Sequence, residues 1–520
     1  MKGLNKYIVA SFLAVASLSS CNLDVNPTDK VEVDNMDDID AQVRGLFLLS
    51  NGVSYYGRNF ALYGEIGTDN YVFRNGSRFL QEHRMEKHAA IGYSDSERNT
   101  YAQAFKVIVN ANFIINNPEA QGDGRGQALF VRALAYSDLL KMYGPVPLVL
   151  DNTDVNDVET LYPTNATEEA IYTQIFADLA EAETLLTGTS KEFATVGAVQ
   201  ALKSRVYLEK GDLDMAIAEA DKVINSRSYE LTKPGDLFNY FNGVGGNETI
   251  LEIKVTTDQN RGSNNFGSIP MSSVLGGYAS YAANPDFVKS FDNELWGDPF
   301  TDARGTVEVV TGANKNVVSS MFLLEGEEKD GQMEVSSTAF IFPNKFRGQE
   351  NVIGLHSPKV LRLSEVLLNK AEAIARQNSG AQEVKDIINE IRAARYIKPT
   401  IQAGETAEDF QVRLDAYNVA LTSATGTLEE VLEEKRKEFA FEGHRSYDLR
   451  RNDLPVTVYK VVSETLETPV EGPLGTEKNT YSVEEVVTVE AGSEQFWFPI
   501  PESEQLANPN LKQNFAAYGE

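Results

Sequence analysis

Apolar residues recur at three- and four-residue intervals along several stretches of this chain, and the stretches come in pairs. Residues near 98–117 put Tyr101, Phe105, Ile108, Asn112 and Ile115 on one helical face. Residues 126–142 repeat the pattern with Leu129, Ala133, Tyr136 and Leu140, and stop at Gly144-Pro145. A third helix is predicted over 167–186, with Thr167 as its cap and Glu168 and Glu169 favouring the positive end of its dipole. Helices over 194–209 and 212–226 follow. Ala201, Ser204, Tyr207 and Leu208 line one face of that pair, Gly211-Asp212 makes the turn, and Ala216, Ala220 and Ile224 line the other. The same logic returns at 361–376 and 383–395.

Small residues facing each other across a tight turn let antiparallel helices pack closely, as in tetratricopeptide repeats. Periodicity alone also fits generic antiparallel helices. The repeats are few and interrupted. Residues 230–350 are rich in Gly, Asn, Ser and aromatics, with one strand-like run, Ile250–Val255. Residues 401–427 and 463–495 read as insertions, and the alternation around Val486–Val489 predicts a short hairpin. The expected fold is therefore mainly α: a tetratricopeptide-like scaffold of helical pairs (about 98–226 and 360–450) with large irregular loop regions and a few short strands. No Gly/Ser or Pro-rich linker divides residues 41–520, which read as one body with a loop-rich candidate ligand region over about 230–350.

The first twenty residues differ. They carry Lys2 and Lys6, no acidic residue, and an apolar run from Tyr7 to Ala16 that is too short to span a bilayer. The run exits through Leu18-Ser19-Ser20-Cys21, which resembles a bacterial lipobox. Cys21 is the sole cysteine, so a partner within the chain is excluded, and acylation explains a lone thiol in an exported protein. Several acyl chains would anchor it stably, each buried methylene contributing about 0.8 kcal/mol. Residues 21–40 are polar and acidic, contain Pro27, and read as a tether.

The full chain has a net charge of −29, and losing Lys2 and Lys6 with a signal would take −29 to −31. That argues against nucleic acid or anionic lipid as the main partner, since both demand basic patches. Candidate catalytic chemistry is thin. His83 and His88 lack the spacing of a helical zinc motif, and Gly122–Gly126 follows a helix and reads as a turn. No nucleophile elbow or Walker loop is present. Asp151–Glu159 lacks the central glycine of a calcium loop. No cofactor is called for, and a structural calcium ion is not indicated by any motif.

Aromatic residues give a better lead. Sugar rings offer apolar C–H faces to flat side chains, while amides and Arg bond their hydroxyls. Candidates are Tyr55-Tyr56, then Asn70, Tyr71 and Arg74 in the run Asp69–Arg74, then Tyr278 and Tyr281, then Trp296 among Asn293, Glu294, Gly297 and Asp298. Trp497, in Phe496-Trp497-Phe498-Pro499, reads as structural.

The last third carries distinctive motifs. Leu361–Ala373 is a helix with the pattern LRLSEVLLNKAEA; Glu434–Arg445 reads EKRKEFAFEGHR and is followed by Asp448-Leu449-Arg450-Arg451; Phe498-Pro499-Ile500-Pro501 precedes Asn508-Pro509 and Gln513-Asn514. Upstream are Arg132–Tyr136, Tyr143–Leu148 and Asp302-Ala303-Arg304. Together with the lipobox, these resemble the SusD-like (RagB/SusD) outer-membrane lipoproteins over nearly the whole chain. The charge pattern of the strongest motif, with Glu434, Glu438 and Glu442 four apart beside Arg436 and Arg445, reads as ion pairs that pin a helix to its neighbours, not as a site.

The resemblance implies more than the residues do. Its members sit on the outer face of the outer membrane, cap a SusC-like TonB-dependent transporter as a hinged lid, and bind glycans, or peptides in some cases, for import without cleaving them. Membrane attachment would run through Cys21. Ligand residues vary within the family, so the aromatic candidates rest on chemistry and loop placement. Peptide cargo, a helical scaffold that binds only protein partners, and a lipid-anchored glycoside hydrolase stay open as alternatives.

Overall fold

A computed structural model describes residues 38–74, 79–85, 99–151, 161–260, 262–329, 332–335, 340–349, 352, 354–462 and 482–516. Cys21, the signal-like segment, the tether up to residue 37, His88 and most of the Asp151–Glu159 run lie outside these residues. The tether was expected to reach residue 40, but Asp38 caps a helix whose first residue is Ile39, its carboxylate accepting from the Ala41 N–H at 2.9 Å.

The longer helices are α1 (Ile39–Ser50), α2 (Thr100–Ile115), α3 (Gly122–Tyr143), α4 (Glu168–Leu185), α5 (Val196–Lys210), α6 (Leu213–Ser226), α7 (Leu363–Gln377), α8 (Gln382–Arg395), α9 (Ala407–Ala420), α10 (Leu428–Glu438) and α11 (Arg445–Arg451). From α1 to α8 each packs against the next, which is the tetratricopeptide-like arrangement of pairs. Caps fall where the pattern placed them: Thr167 accepts from Ala170 N, and Gly211 closes α5 in the left-handed region (φ +84°) before Asp212 caps α6. Across the α5–α6 turn Ala201, Ser204, Ala216 and Ala220 are buried, and the Ser204 hydroxyl donates to the Ala216 carbonyl at 3.0 Å. Helix α6 packs on α7 although residues 227–362 lie between them in sequence.

Two local expectations change. Gly122–Gly126 is not a turn but the first turn of α3. Its glycines serve close approach: a Cβ on Gly124 would lie 2.5 Å from the Ile39 side chain, and one on Gly126 would press on Leu185 and Leu186 at 3.1 Å. The insertion 401–427 contains α9, an exposed helix with only Tyr417 buried, which packs on Phe300 and Tyr396.

The strands are short: β1 (Tyr71–Phe73), β2 (Thr249–Glu252), β3 (Tyr281–Ala283), β4 (Thr301–Asp302), β5 (Val307–Val310), β6 (Phe322–Lys329), β7 (Gln332–Val335), β8 (Ile341–Pro343), β9 (Lys359–Arg362), β10 (Tyr396–Ile397), β11 (Val456–Val461) and β12 (Val483–Val489). One sheet runs β12-β11-β1-β3, with β1 parallel to β11 (Val72 opposite Tyr459) and antiparallel to β3 (Val72 opposite Ala282). The alternation near Val486 forms the expected antiparallel pair, Thr457 opposite Thr488. In the loop region β6 pairs with β5, β7 and β8, and β2 with β9 leads the chain back into α7.

Candidate functional site

The motif helix α10 sits over a buried lattice of charges. Arg304 donates to Asp302 (2.7 Å), Glu434 (2.6 Å) and Glu438 (3.2 Å). Arg362 donates to Glu438 (2.5 Å), Glu442 (2.6 Å) and Glu248 (2.8 Å), and Arg395 to Glu438 (2.7 Å) and Glu248 (3.0 Å). Every one of these side chains is at most 10% exposed. Burial alone would raise the Glu438 carboxyl, but the Arg395 and Arg362 charges override it and hold it well below the usual range. A second lattice joins Lys435 to Glu372 (2.6 Å) and Asp448 (3.1 Å), and Arg451 to Glu372 (2.7 Å) and Glu209 (2.8 Å). A third bond ties the repeat itself together, Arg205 forking onto Glu365 at 2.5 and 2.7 Å. These groups lock α5, α7, α8, α10 and α11 to the loop strands. Their carboxylates are engaged in these ion pairs.

The turn after α10 carries the lattice to β1. Gly443 (φ +85°) lies against Ala61, and a Cβ there would be 2.5 Å from the Ala61 Cα. Glu65 accepts from the Phe441 and Gly443 N–H groups at 3.0 and 3.2 Å and from Asn70 Nδ2 at 2.6 Å. Burial pushes this carboxyl up to about 7 despite those donors. Asn70 accepts in turn from Arg436 Nε (2.8 Å), and Asp69 is forked by Arg445 at 2.9 Å.

That placement corrects three of the sequence-predicted ligand residues. Asn70, Tyr71 and Tyr281 are fully buried. Asn70 bridges Glu65 and Arg436. Tyr71 and Tyr281 lie on paired strands with ring centroids 5.8 Å apart, because β1 is an inner strand covered on both edges. The Tyr281 hydroxyl donates to the Phe79 carbonyl at 3.1 Å. Tyr55 and Tyr56 are also core residues, both hydroxyls turned onto Asp138. Trp296 is half-buried against the main core on a separate turn, Glu294–Trp296, which the Glu294–Arg413 ion pair holds in place.

Arg74 and Tyr278 remain, and the fold brings them to one shelf. The turn before β3 is pinned by Tyr278 N–H to the Ser268 carbonyl (2.9 Å), Ala279 N–H to Met271 (2.9 Å) and Ser280 N–H to Ile269 (3.0 Å). Gly277 has no room for a side chain, since a Cβ would meet the Met271 carbonyl at 2.3 Å. Tyr278 is held at the tip with 46% of its surface exposed. Beside it Arg74 Nη1 donates to the Ala279 carbonyl at 3.1 Å, and its guanidinium lies 4.1 Å from the Phe340 ring centroid. An exposed ring one residue from the carbonyl that anchors a guanidinium is an arrangement that can stack on a sugar face and bond its hydroxyls.

A larger concavity went unforeseen. A cleft of about 1110 Å3, counted to its open mouth, lies between the ends of α3, α5 and α7 and the C-terminal segment. Tyr172, Trp497, Phe515, Arg376 and Arg450 line it. Three motifs build its wall. Phe498 N–H donates to the Met142 carbonyl (2.8 Å), and Asn514 donates to the Tyr143 (2.8 Å) and Pro145 (2.6 Å) carbonyls. Phe515 fills the space over Gly144, 3.1 Å from where a Cβ would be. Trp497, read as structural, packs on Phe515 and also faces this cleft. Among the described residues no group of three or more His, Asp or Glu is arranged to hold a metal ion, and no helix is long and apolar enough to cross a membrane.

Comparison with known proteins agrees with these motifs. Residues 247–518 match the model of the SusD family, and residues 23–208 match a model described as starch-binding associating with outer membrane. The SusD-like protein P2 of Formosa agariphila is 23% identical over 562 residues, spanning 99% of this chain and 100% of that protein. A SusD-like protein of Bacteroides ovatus is 30% identical over 173 residues, 29% of this chain and 31% of its own length. Among solved structures, a SusD-like carbohydrate binding protein of Bacteroides vulgatus superposes with a TM-score of 0.66 at 22% identity, covering 93% of this chain and 99% of that one. A laminarin binding SusD-like protein gives 0.60 at 20% identity, covering 92% and 98%.

Proposed function

The chain belongs to the SusD family, and on that premise we propose that it is a cell-surface lipoprotein that binds glycans and passes them to a TonB-dependent outer-membrane transporter. The carrying observation is the Tyr278–Arg74 shelf, where a half-exposed ring stands on a turn fixed by three backbone hydrogen bonds beside an anchored guanidinium. Binding there needs no covalent step. The names of two proteins of the same fold, one carbohydrate binding and one laminarin binding, support a glycan as cargo. The description of the model matching residues 23–208 supports a place at the outer membrane. Acylated Cys21 supplies the anchor, and the acidic stretch behind it gives the body reach to swing beside a transporter mouth.

Retention on affinity gels cast with laminarin, starch and other polysaccharides tests the cargo. At least one glycan should retard the protein, and Tyr278→Ala should weaken that binding about five-fold, the loss of about 1 kcal/mol of stacking. Binding to peptides with no retention on any glycan would replace the glycan reading with peptide import. Cys21→Ser should release the protein from the membrane fraction with ligand binding intact, and copurification of a large barrel protein with the wild type would identify the transporter.

A further inference from the structure

The cleft between the helical scaffold and the C-terminal segment is basic in a protein whose net charge is −29. Most of its cations are already neutralised. Arg451 is held by Glu372 and Glu209, Lys210 by Glu169 at 2.9 Å, and Arg205 by Glu365. Two are not. Arg376 is exposed at the end of α7 and makes no ion pair among the described residues. Arg450 is half-buried and also makes no ion pair among the described residues. Its one hydrogen bond is from Nη1 to the Lys141 carbonyl at 2.6 Å. Its guanidinium lies 4.4 Å from the Trp497 ring centroid and 5.5 Å from that of Tyr447.

This arrangement is unlike that of Arg205 and Arg451, the cleft's other buried arginine forks, which sit on carboxylates. The stacking fixes the plane of the Arg450 fork, and the single bond uses one of its five N–H groups. Among the described residues the remaining edge has no hydrogen-bond acceptor. A guanidinium moved out of water is destabilising, and burial lowers the Arg450 proton affinity although the charge of Glu209, which is bonded to Arg451, partly offsets it. Tyr172, Trp497 and Phe515 supply apolar walls in the same cleft, and a concave, aromatic-lined site with a few polar groups suits a small ligand. We propose that this cleft is a second ligand site, selective for an acidic sugar unit whose carboxylate is forked by Arg450 with Arg376 at the mouth. It rests on the glycan reading above and adds a cargo class to it: uronate-bearing oligosaccharides.

Isothermal titration of the full chain with tri-galacturonate, and with the same trisaccharide as its neutral methyl ester, tests the site. The acid should bind at least ten-fold more tightly than the ester, and raising the salt from 50 to 500 mM should shrink that difference, because the contact is charge to charge. Arg450→Gln should abolish the preference while leaving retention on a neutral glycan at the Tyr278 shelf unchanged. If Arg450→Gln fails to fold, Arg376→Gln, which loses no internal bond, should weaken the acid at least three-fold. Equal affinity for acid and ester overturns the proposal, as does acid binding that neither substitution weakens. Absence of acid binding with normal retention on neutral glycans overturns this site and leaves the glycan reading standing. Absence of binding to any glycan overturns both.

Discussion

Glu438→Gln is the sharpest probe of what holds this fold together. The change keeps the shape of the side chain and removes one charge. Glu438 accepts from Arg304, Arg362 and Arg395 at 2.5–3.2 Å and is 1% exposed. Asp302, Glu434, Glu248 and Glu442 would remain, but their oxygens are already engaged by the same guanidiniums and by Lys345 and Arg392. An amide also turns an N–H group toward at least one of the three forks. Removing one partner from a buried pair costs about 3–5 kcal/mol. At about 2.1 cal/mol/K per residue, a cooperative unit of this size has an unfolding entropy near 1 kcal/mol/K, so the loss lowers Tm by about 3–5 °C at pH 7. The pH dependence has a definite sign. The folded carboxyl lies well below its unfolded value because the Arg395 and Arg362 charges outweigh burial. Its stabilisation is therefore complete above the unfolded value of about 4.3 and is lost as pH falls further. The melting gap between wild type and variant should be constant from pH 8 to 5.5 and narrow by about 1 kcal/mol at pH 3.5. Calorimetric melts check both points. A gap under 1 °C at pH 7, or one that does not narrow in acid, would show that the lattice does not stabilise the fold as its geometry implies.

His356 has the same sign in a higher pH window: burial holds its folded proton affinity down to about 3, so its neutral ring costs stability as pH falls below the unfolded value of about 6.5. His356→Phe, beside Phe266 and Phe346, should gain about 2 kcal/mol relative to wild type between pH 7 and pH 5, read as a shift in relative Tm. Gly443→Ala meets both a left-handed φ of +85° and the Ala61 backbone at 2.5 Å, so it should cost more than 3 kcal/mol in urea unfolding, whereas Gly211→Ala, with open space around it, should cost about 1 kcal/mol. Asn514→Ala strips hydrogen bonds from the Tyr143 and Pro145 carbonyls and should cost about 1–3 kcal/mol, with faster proteolysis of the C-terminal segment as the readout.

The helical pairs were legible in the sequence because their signals are local. Spacing, caps such as Thr167 and Asp212, and the small residues of the α5–α6 turn are all contained within a few dozen residues. The ion-pair role of Glu434, Glu438 and Glu442 was legible for the same reason, although the partners Arg304, Arg362 and Arg395 are spread over three distant elements. The ligand surface was read less well. Tyr71 and Tyr278 look alike in sequence, each an aromatic in a polar, loop-like run. What separates them is that β11, some 380 residues downstream, closes one edge of β1, while Tyr278 keeps 46% of its surface exposed at the tip of its turn. The cleft was missed because Tyr172, Arg450 and Trp497 come from three segments, and Trp497 sits in an apolar run whose pattern says only that it packs.

The charge lattices and the basic cleft are two consequences of one distribution. The chain has 76 acidic and 47 basic side chains, so a fold that draws many of its cations inward leaves an exterior more acidic than the composition. Arg205, Arg304, Arg362, Arg395, Lys435 and Arg451 are all buried against carboxylates, each fixing two or more elements at once. Guanidiniums suit that task because one planar fork can satisfy several acceptors without losing its proton. The acidic exterior then repels acidic glycans at long range, and only a concave site with an unneutralised cation can reverse that locally. Arg450 is placed to do so: it sits one residue from Arg451, on the same short helix, yet Arg451 makes ion pairs with three carboxylates and Arg450, among the described residues, makes none. A purely structural role would be served by the pairing that Arg451 has. The unpaired edge of Arg450, facing an aromatic-walled cleft, is what separates a binding function from scaffold in this part of the molecule.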